Sequence, residues 1–461
     1  MASAPSRGRG TGMSARAIVL AAGKGTRMRS AQPKVMHDLC GRPMLWWVLQ
    51  ALRTAGVADI TVVTNPDVDP MLGAFGVRTV IQHEQLGTGH AVKIALDALP
   101  AADGCLVVAY GDMPLVDHTI FEDVQAAVDP DAGAALALVT ARMPLPSSFG
   151  RIVRAGDAVE RIVEAKDCTP EQLGIDEMNA GIYAYDERAL RTAIAQVGNE
   201  NAQGEYYLTD TVELLIAAGH RVVPVPVADY RGVLGVNDRV ELADARAVLN
   251  RRLCEGHMRA GVTIVDPAAT YLEPDLAIGA DTVIYPGTTI SGETTIGANC
   301  RIGPNSRIGN ARIADSAQIT ESVVLDSTLG AHATVGPFAH LRHHAVLGED
   351  VHIGNFVEVK KSTLGPGVKA GHLTYLGDAT IGTRTNVGAG TITCNYDGVR
   401  KNQTTIGADA FIGSNSSLVA PLAIGDNAVT GAGAVVIRDV PAGDKVAGSP
   451  ARSIGKKPAQ T

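Results

Sequence analysis

The sequence predicts two domains of different class: an α/β domain with a mixed, mostly parallel sheet, followed by a parallel β-helix of hexapeptide repeats. Two observations carry this. From Ile278 onward an aliphatic residue returns every sixth position, often with glycine behind it: Ile278-Gly279, Ile284, Ile290, Ile296-Gly297, Ile302-Gly303 and Ile308-Gly309. Upstream, short apolar runs alternate with helix-like stretches, the βαβ rhythm of a doubly wound sheet. A period of six matches neither a helix nor a simple strand alternation. It suits short flat strands with a corner after each, every aliphatic residue pointing into a prism whose coils stack about 4.8 Å apart.

The elements follow in order. Residues 1–15 are rich in Ser, Gly and Arg and are expected to be a flexible N-terminal tail, with Met13 an alternative start. The α/β domain spans 16–238, with strands at Ala17–Leu20, Ile60–Val63 and Cys105–Ala109 and a helix over Met44–Thr54. Residues 239–262 hold strong helix formers and no proline, so a connecting helix is expected there. The β-helix occupies 263–450. Its register skips near Ile313 and Leu364, and the polar stretch from Cys394 to Gln403 must loop off a corner. After 450 the period is gone, and 451–461, with Lys456, Lys457 and Pro458, reads as a tail.

At 461 residues the chain has room for two or three full cores. Only 4% of it is aromatic and 51 residues are glycine, as a repeat of small residues and tight corners requires. A formal net charge of −8 argues against nucleic acid as partner. A local cluster of Lys and Arg can still hold a phosphorylated small molecule. Six cysteines (Cys40, Cys105, Cys168, Cys254, Cys300 and Cys394) lie without CxxC spacing. That pattern predicts reduced thiols in a cytoplasmic protein, with neither a zinc site nor a disulfide framework. The apolar run Ala17–Ala22 is too short for a signal peptide or a membrane span.

The first strand runs into LAAGKGTRM, Leu20 to Met28. Ligands of an open parallel sheet sit beyond the carboxyl ends of its strands. Small residues there let backbone amides approach phosphates, and Lys24 and Arg27 add positive charge. The string is not a Walker A loop, since no GK[ST] follows at the required spacing. Pro33-Lys34 supplies another cation, and Gln82 with Leu86-Gly87-Thr88-Gly89 offers donors suited to reading a base. Tyr110-Gly111-Asp112 ends a buried strand with a carboxylate, where a metal bound to a triphosphate would sit. Any one of these has a plain steric explanation; the ordered set does not.

With these motifs the sequence resembles the sugar-nucleotide pyrophosphorylases, whose signature is a GxGTRM loop followed by PK. The resemblance implies a Rossmann-like nucleotidyltransferase domain that uses UTP and Mg²⁺. It implies that Leu20, Ala21, Ala22, Gly23, Tyr110 and Gly111 line the nucleotide-sugar site and that Arg27, a catalytic residue, faces the leaving pyrophosphate. Lys34 would bind phosphate, and Gln82, Gly87 and Thr88 would meet the uracil. Asp112 and Asn237 would hold Mg²⁺, with Asn237 also at the UDP-sugar; Gly150, Glu164 and Asn179 would bind the amino sugar. The chemistry is in-line attack of a sugar-1-phosphate oxygen on the α-phosphorus of the triphosphate, catalysed mainly by positioning and charge neutralisation.

The repeat carries strings that no hexapeptide corner requires: GHLTYLGD from Gly371, CNYDG from Cys394, Arg342 in FAHLRHH, and Glu358, Lys360 and Lys361 in VEVKK. Amide synthesis from a thioester needs a neutral amine, so a base must take its proton. Histidine, with an unperturbed pKa near ~6.5, suits that task, and His372 is the candidate. Both motif sets together resemble the bacterial bifunctional enzymes that make UDP-N-acetylglucosamine, over residues 16–450.

That resemblance implies a left-handed β-helix, a homotrimer, and His372 as general base. Arg342, Lys360, Tyr375 and Asn386 would bind glucosamine 1-phosphate, and Ala389, Asn395, Tyr396, Ser414, Ala432 and Ser449 would line the acetyl-CoA site. A neighbouring subunit would contribute the polar loop. The enzyme would acetylate glucosamine 1-phosphate from acetyl-CoA, then join N-acetylglucosamine 1-phosphate to UTP, supplying precursor for peptidoglycan. Phe149, Ala180 and His343-His344 depart from the family pattern. The family's coenzyme-binding arginine is Ser449 here, with Arg452 nearby, which leaves open which tail residue meets the coenzyme. A single-function pyrophosphorylase with a non-catalytic β-helix is the competing reading. GHLTYLGD and CNYDG count against it, because a stem has no use for that histidine and loop.

Overall fold

The computed structural model describes residues 15–456. Of the expected N-terminal tail all but Ala15 lies outside them, as do Met13, Lys457 and Pro458. The chain divides into two compact units between Arg246 and Ala247.

The first unit is built on a nine-stranded sheet. Its main path runs Arg221–Val227, Ala134–Arg142, Glu177–Asp186, Cys105–Tyr110, Ala15–Leu20, Asp59–Thr64 and Arg78–Ile81. Glu177–Asp186 pairs antiparallel with both neighbours, while the other pairs on that path are parallel. The sheet is therefore mixed and mostly parallel. Alternate residues of the Ala15–Leu20 strand serve different cores, as a period of two demands. Ala17 and Val19 join Leu45, Leu49 and Leu52 of helix Met44–Thr54, whereas Ile18 and Leu20 join Val92 and Leu96 of helix Thr88–Ala98. Burial on both faces explains why these strands read as continuous apolar runs.

Arg239–Arg259 is one helix, and the first strand of the repeat is Thr263–Ile264. From there the chain coils through three sheets of twelve, ten and nine strands, each strand up to Ser417–Val419 pairing with the third one along. One aliphatic position is stacked from coil to coil: Ile264 on Ile284, then Ile302, Ile319, Val335 and Ile353, all buried. Glycine follows the aliphatic residue because adjacent coils nearly touch there. A Cβ at Gly279 would lie 2.5 Å from the Ala298 nitrogen. The skip near Ile313 is a short coil, which sets Ile313 on Ile296 and Leu329 on Ile313. A second sets Leu364 on Leu347. Corners turn through left-handed backbone at residues such as Asp281, Asn299 and Asn305, where Asn and Asp are tolerated best.

The chain after Pro450 differs from the expected tail. Arg452–Lys456 is a strand, antiparallel to Asp444–Ala447. Asp444–Ala447 has no further coil to pair with, so the chain turns back and satisfies that open edge itself. All five residues are exposed, which is why no hydrophobic period marks the strand.

Candidate active sites

In the first unit Leu20 stands opposite Tyr110 at the carboxyl ends of adjacent strands, between the two directions in which the sheet is wound. Crevices of such sheets form there. Two clefts of about 220 Å³ each share Tyr110 and Asp112. Leu20, Ala21, Ala22, Gly23 and Lys34 wall the first, facing Gln82, Gly87 and Thr88. Phe149, Gly150, Glu164, Asn179, Ala180 and Asn237 line the second. Gly111 lines neither. Its N–H donates to the Leu20 carbonyl at 2.9 Å, tying the two strand ends together. Arg27 also stands outside both clefts but donates to Asn237 Oδ1 at 2.8 Å.

Charge concentrates where the clefts meet. Lys34 is ion-paired with the Asp112 carboxylate and lies 3.2 Å from Asn237 Oδ1. In the second cleft burial pushes the Glu164 carboxyl above its usual range, and a 3.1 Å hydrogen bond from Thr209 opposes this. Asn179 donates to Tyr183 OH at 2.6 Å and accepts from the Gly181 N–H at 3.1 Å. Gly181 has φ +77, and a Cβ there would lie 2.6 Å from the Tyr110 ring. Gly181→Ala is therefore expected to cost about 1–3 kcal/mol and to displace Tyr110. A thermal melt checks it: an unchanged midpoint refutes the steric argument.

The second site is assembled by stacking. Ile353, Ala370, Val387, Ile412 and Thr430 are inward residues of successive coils. Two positions after each come Asn355, His372, Ala389, Ser414 and Ala432, so these five form a column along one edge. His372 Nδ1 is 2.5 Å from Asn355 Oδ1. An amide oxygen only accepts, so Nδ1 carries a proton, and in the neutral imidazole the lone pair then lies on Nε2.

Beyond the corner at Leu373-Thr374, Tyr375 stacks on Glu358, and Lys360 on Arg342. Asn386 lies on His372's own sheet, beside Lys369. Glu358 is spent on Arg342, 2.6 Å away. Lys401, from the polar loop, crowds Lys360 and holds its pKa below the usual lysine value, with burial second. Tyr396 bridges to Lys401 across that loop and is 60% exposed. Ser449 sits in the turn before the final strand.

Sequence reasoning missed Gln85, which lines the first cleft and donates to the Ala22 carbonyl at 2.6 Å, and Glu205, which lines the same cleft. Asn355 was also missed, although its place one coil before His372 was readable from the repeat.

Comparisons with known proteins divide the chain in the same way. A family described as MobA-like NTP transferase domain matches residues 17–202. One described as GMPPB C-terminal domain matches 272–369, and bacterial transferase hexapeptide (six repeats) matches 403–438. A bifunctional protein GlmU of Trichlorobacter lovleyi is 47% identical over 431 residues, 92% of this chain and 94% of that protein. The protein of the same name from Exiguobacterium sibiricum is 48% identical over 430 residues, covering 92% and 95%. That of Geobacter sulfurreducens is 47% identical over 449 residues, covering 92% and 94%.

Proposed function

This chain belongs to the GlmU family of bifunctional proteins, and we propose that each of its two units carries one of the two reactions of UDP-N-acetylglucosamine synthesis. It is a bifunctional transferase: acetyl-CoA acetylates glucosamine 1-phosphate, and the product then takes the uridylyl group of UTP with release of pyrophosphate. The observation that carries this is the presence in one chain of both the Lys34–Asp112–Asn237 cluster and the His372 column. Incubation with glucosamine 1-phosphate, acetyl-CoA, UTP and Mg²⁺ tests it. Both free CoA and pyrophosphate should appear, whereas pyrophosphate alone, from added N-acetylglucosamine 1-phosphate, would leave only a pyrophosphorylase.

In the uridylyl step a phosphate oxygen of N-acetylglucosamine 1-phosphate attacks the α-phosphorus of UTP, and the bond to pyrophosphate breaks. Ala22 and Gly23 let the backbone approach the phosphates. Gln82, Gly87 and Thr88 read the uracil, and Gly150, Glu164 and Asn179 hold the amino sugar. Arg27 and Lys34 neutralise the charge on the departing pyrophosphate. Asp112 and Asn237 suit Mg²⁺, because their oxygens already converge on one cation, the Lys34 ammonium. Hard oxygen donors completed by substrate phosphates and water are what this ion takes. Among the described residues no group of three or more His, Cys, Asp or Glu offers an all-protein cage. Bound there, the ion would supply charge neutralisation across the phosphates.

In the acetyl step the amine attacks the thioester carbonyl while His372 Nε2 takes its proton, and the carbon–sulfur bond breaks to release CoA. Arg342 and Lys360 hold the acceptor's phosphate, with Tyr375 and Asn386 beside it. Ala389, Ser414 and Ala432 guide the coenzyme along the column, and Asn395, Tyr396 and Ser449 complete its site. We place the enzyme in the cytoplasm. All six cysteines are thiols outside any disulfide, and among the described residues no helix is long and apolar enough to cross a membrane.

A homotrimer is the expected assembly. Phe338 and Phe356 are stacked 5.4 Å apart at one corner, 55% exposed each, and Leu373 follows at 63%. All three have left-handed backbone, costly for such side chains. A contiguous apolar ridge of this kind is suited to burial against further copies. Sedimentation equilibrium should return the mass of three chains, and a fully active monomer would refute the assembly.

A further inference from the structure

The GHLTYLGD string ends on a carboxylate to which the mechanism gives no part. Asp378 is 8% exposed and sits at a corner with φ +50. Its backbone joins two parts of the wall: its N–H donates to the Lys360 carbonyl at 3.1 Å, and its own carbonyl accepts from Thr404 at 3.2 Å. Its carboxylate accepts from Asn395 Nδ2 at 2.6 Å and faces Lys361 Nζ at 3.4 Å. Asn395 is itself 6% exposed, and the same Nδ2 lies 3.5 Å from Tyr375 OH. Its backbone is held as well, the carbonyl accepting from Asn402 at 2.7 Å.

An amide side chain can present either its oxygen or its NH₂ group, and its hydrogen-bond partners decide which. A carboxylate accepts and cannot donate. Facing Asp378, Asn395 must turn its NH₂ inward, where one hydrogen meets Asp378 and the other points to Tyr375. Oδ1 is then the end left for a reactant. We infer that Asp378 is a positioning residue for acetyl transfer, fixing the sense of the Asn395 amide so that the site presents a carbonyl acceptor beside Tyr375. The matching ligand chemistry is an N–H donor, either the amino group of the hexosamine phosphate or an amide of the pantetheine arm. This rests on the acetyltransferase reading.

Three proteins test it: wild type, Asp378→Asn and the exchanged pair Asp378→Asn/Asn395→Asp. Asparagine keeps the size, the tolerance of left-handed backbone and a hydrogen bond to the loop, but two facing amides pair in either sense. In the exchanged pair both oxygens of residue 395 accept, so the ambiguity vanishes. Asp378→Asn is expected to lower acetylation kcat/KM about tenfold, as when a charged hydrogen-bond partner becomes neutral. The exchanged pair should recover most of the loss. A raised KM for glucosamine 1-phosphate alone would identify the amine as the donor, and a raised KM for acetyl-CoA alone the pantetheine amide. A melting midpoint expected at the wild-type value shows that each variant is folded, and unchanged UTP-dependent pyrophosphate release confines the effect to the second unit. Wild-type acetylation by Asp378→Asn would overturn the inference, reducing Asp378 to an anchor of the loop. An exchanged pair no better than the single variant would overturn it too. Failure of wild type itself to release CoA would instead sink the acetyltransferase reading.

Discussion

His372→Ala is expected to lower the kcat of acetyl transfer by about 10²–10⁴-fold, the usual contribution of a positioned general base. The substrate amine is largely protonated at neutral pH, and the thioester is attacked only by its neutral form. His372 donates from Nδ1 to Asn355 Oδ1 at 2.5 Å, which leaves Nε2 to take the proton. KM for glucosamine 1-phosphate should change little, because on the proposed reading Arg342 and Lys360 would still hold its phosphate. Pyrophosphate release from UTP and N-acetylglucosamine 1-phosphate should be unaffected. Near wild-type acetylation by this variant would reduce the histidine to a wall residue. Glu358 would be a poor replacement, since Arg342 engages it at 2.6 Å.

The second large effect lies in the other unit. Asp112→Ala or Arg27→Ala should abolish measurable uridylyl transfer while CoA release stays nearly intact. Asp112 and Asn237 both bond the Lys34 ammonium, and Arg27 bonds Asn237. Removing the carboxylate leaves Lys34 without its charged partner and takes away one of two converging oxygen donors. Removing Arg27 would strip positive charge from the path proposed for the departing pyrophosphate, and such charge carries most of the catalysis in phosphoryl transfer. Equal losses in both half-reactions would mean that the two sites are not independent.

How far the sequence alone reached depends on the kind of signal. The hexapeptide period was legible because most inward positions from Ile284 to Val436 are filled by aliphatic side chains, Thr430 being an exception. Even the short coil at Ile313 showed as a skipped register. The Leu20–Met28 loop was legible because a strand ended in small residues and cations. The contacts of Asn355, Gln85 and Asp378 were not, since each acts through a side chain brought near by folding. Asn355 meets His372 across one coil, and Gln85 meets Ala22 across the crevice. Arg452–Lys456 escaped notice for a different reason. An edge strand exposed along its whole length has no buried face to impose a pattern.

The column from Asn355 through His372 to Ala432 also works as a ruler. Each rung is one coil, and hydrogen bonds between parallel strands hold neighbouring rungs at about 4.8 Å. The span from His372 to any anchor further up the edge is therefore a whole number of rungs, indifferent to what the corners carry. That indifference lets the Cys394–Gln403 loop project between Ala389 and Ser414 while Val387 still pairs directly with Phe411's neighbour Ile412. Losing or gaining a full coil between His372 and Ala432 would instead change the reach by one graduation. On the proposed function, a long flexible coenzyme would be measured here by counting, and chemistry at one mark would be insulated from sequence drift at the others.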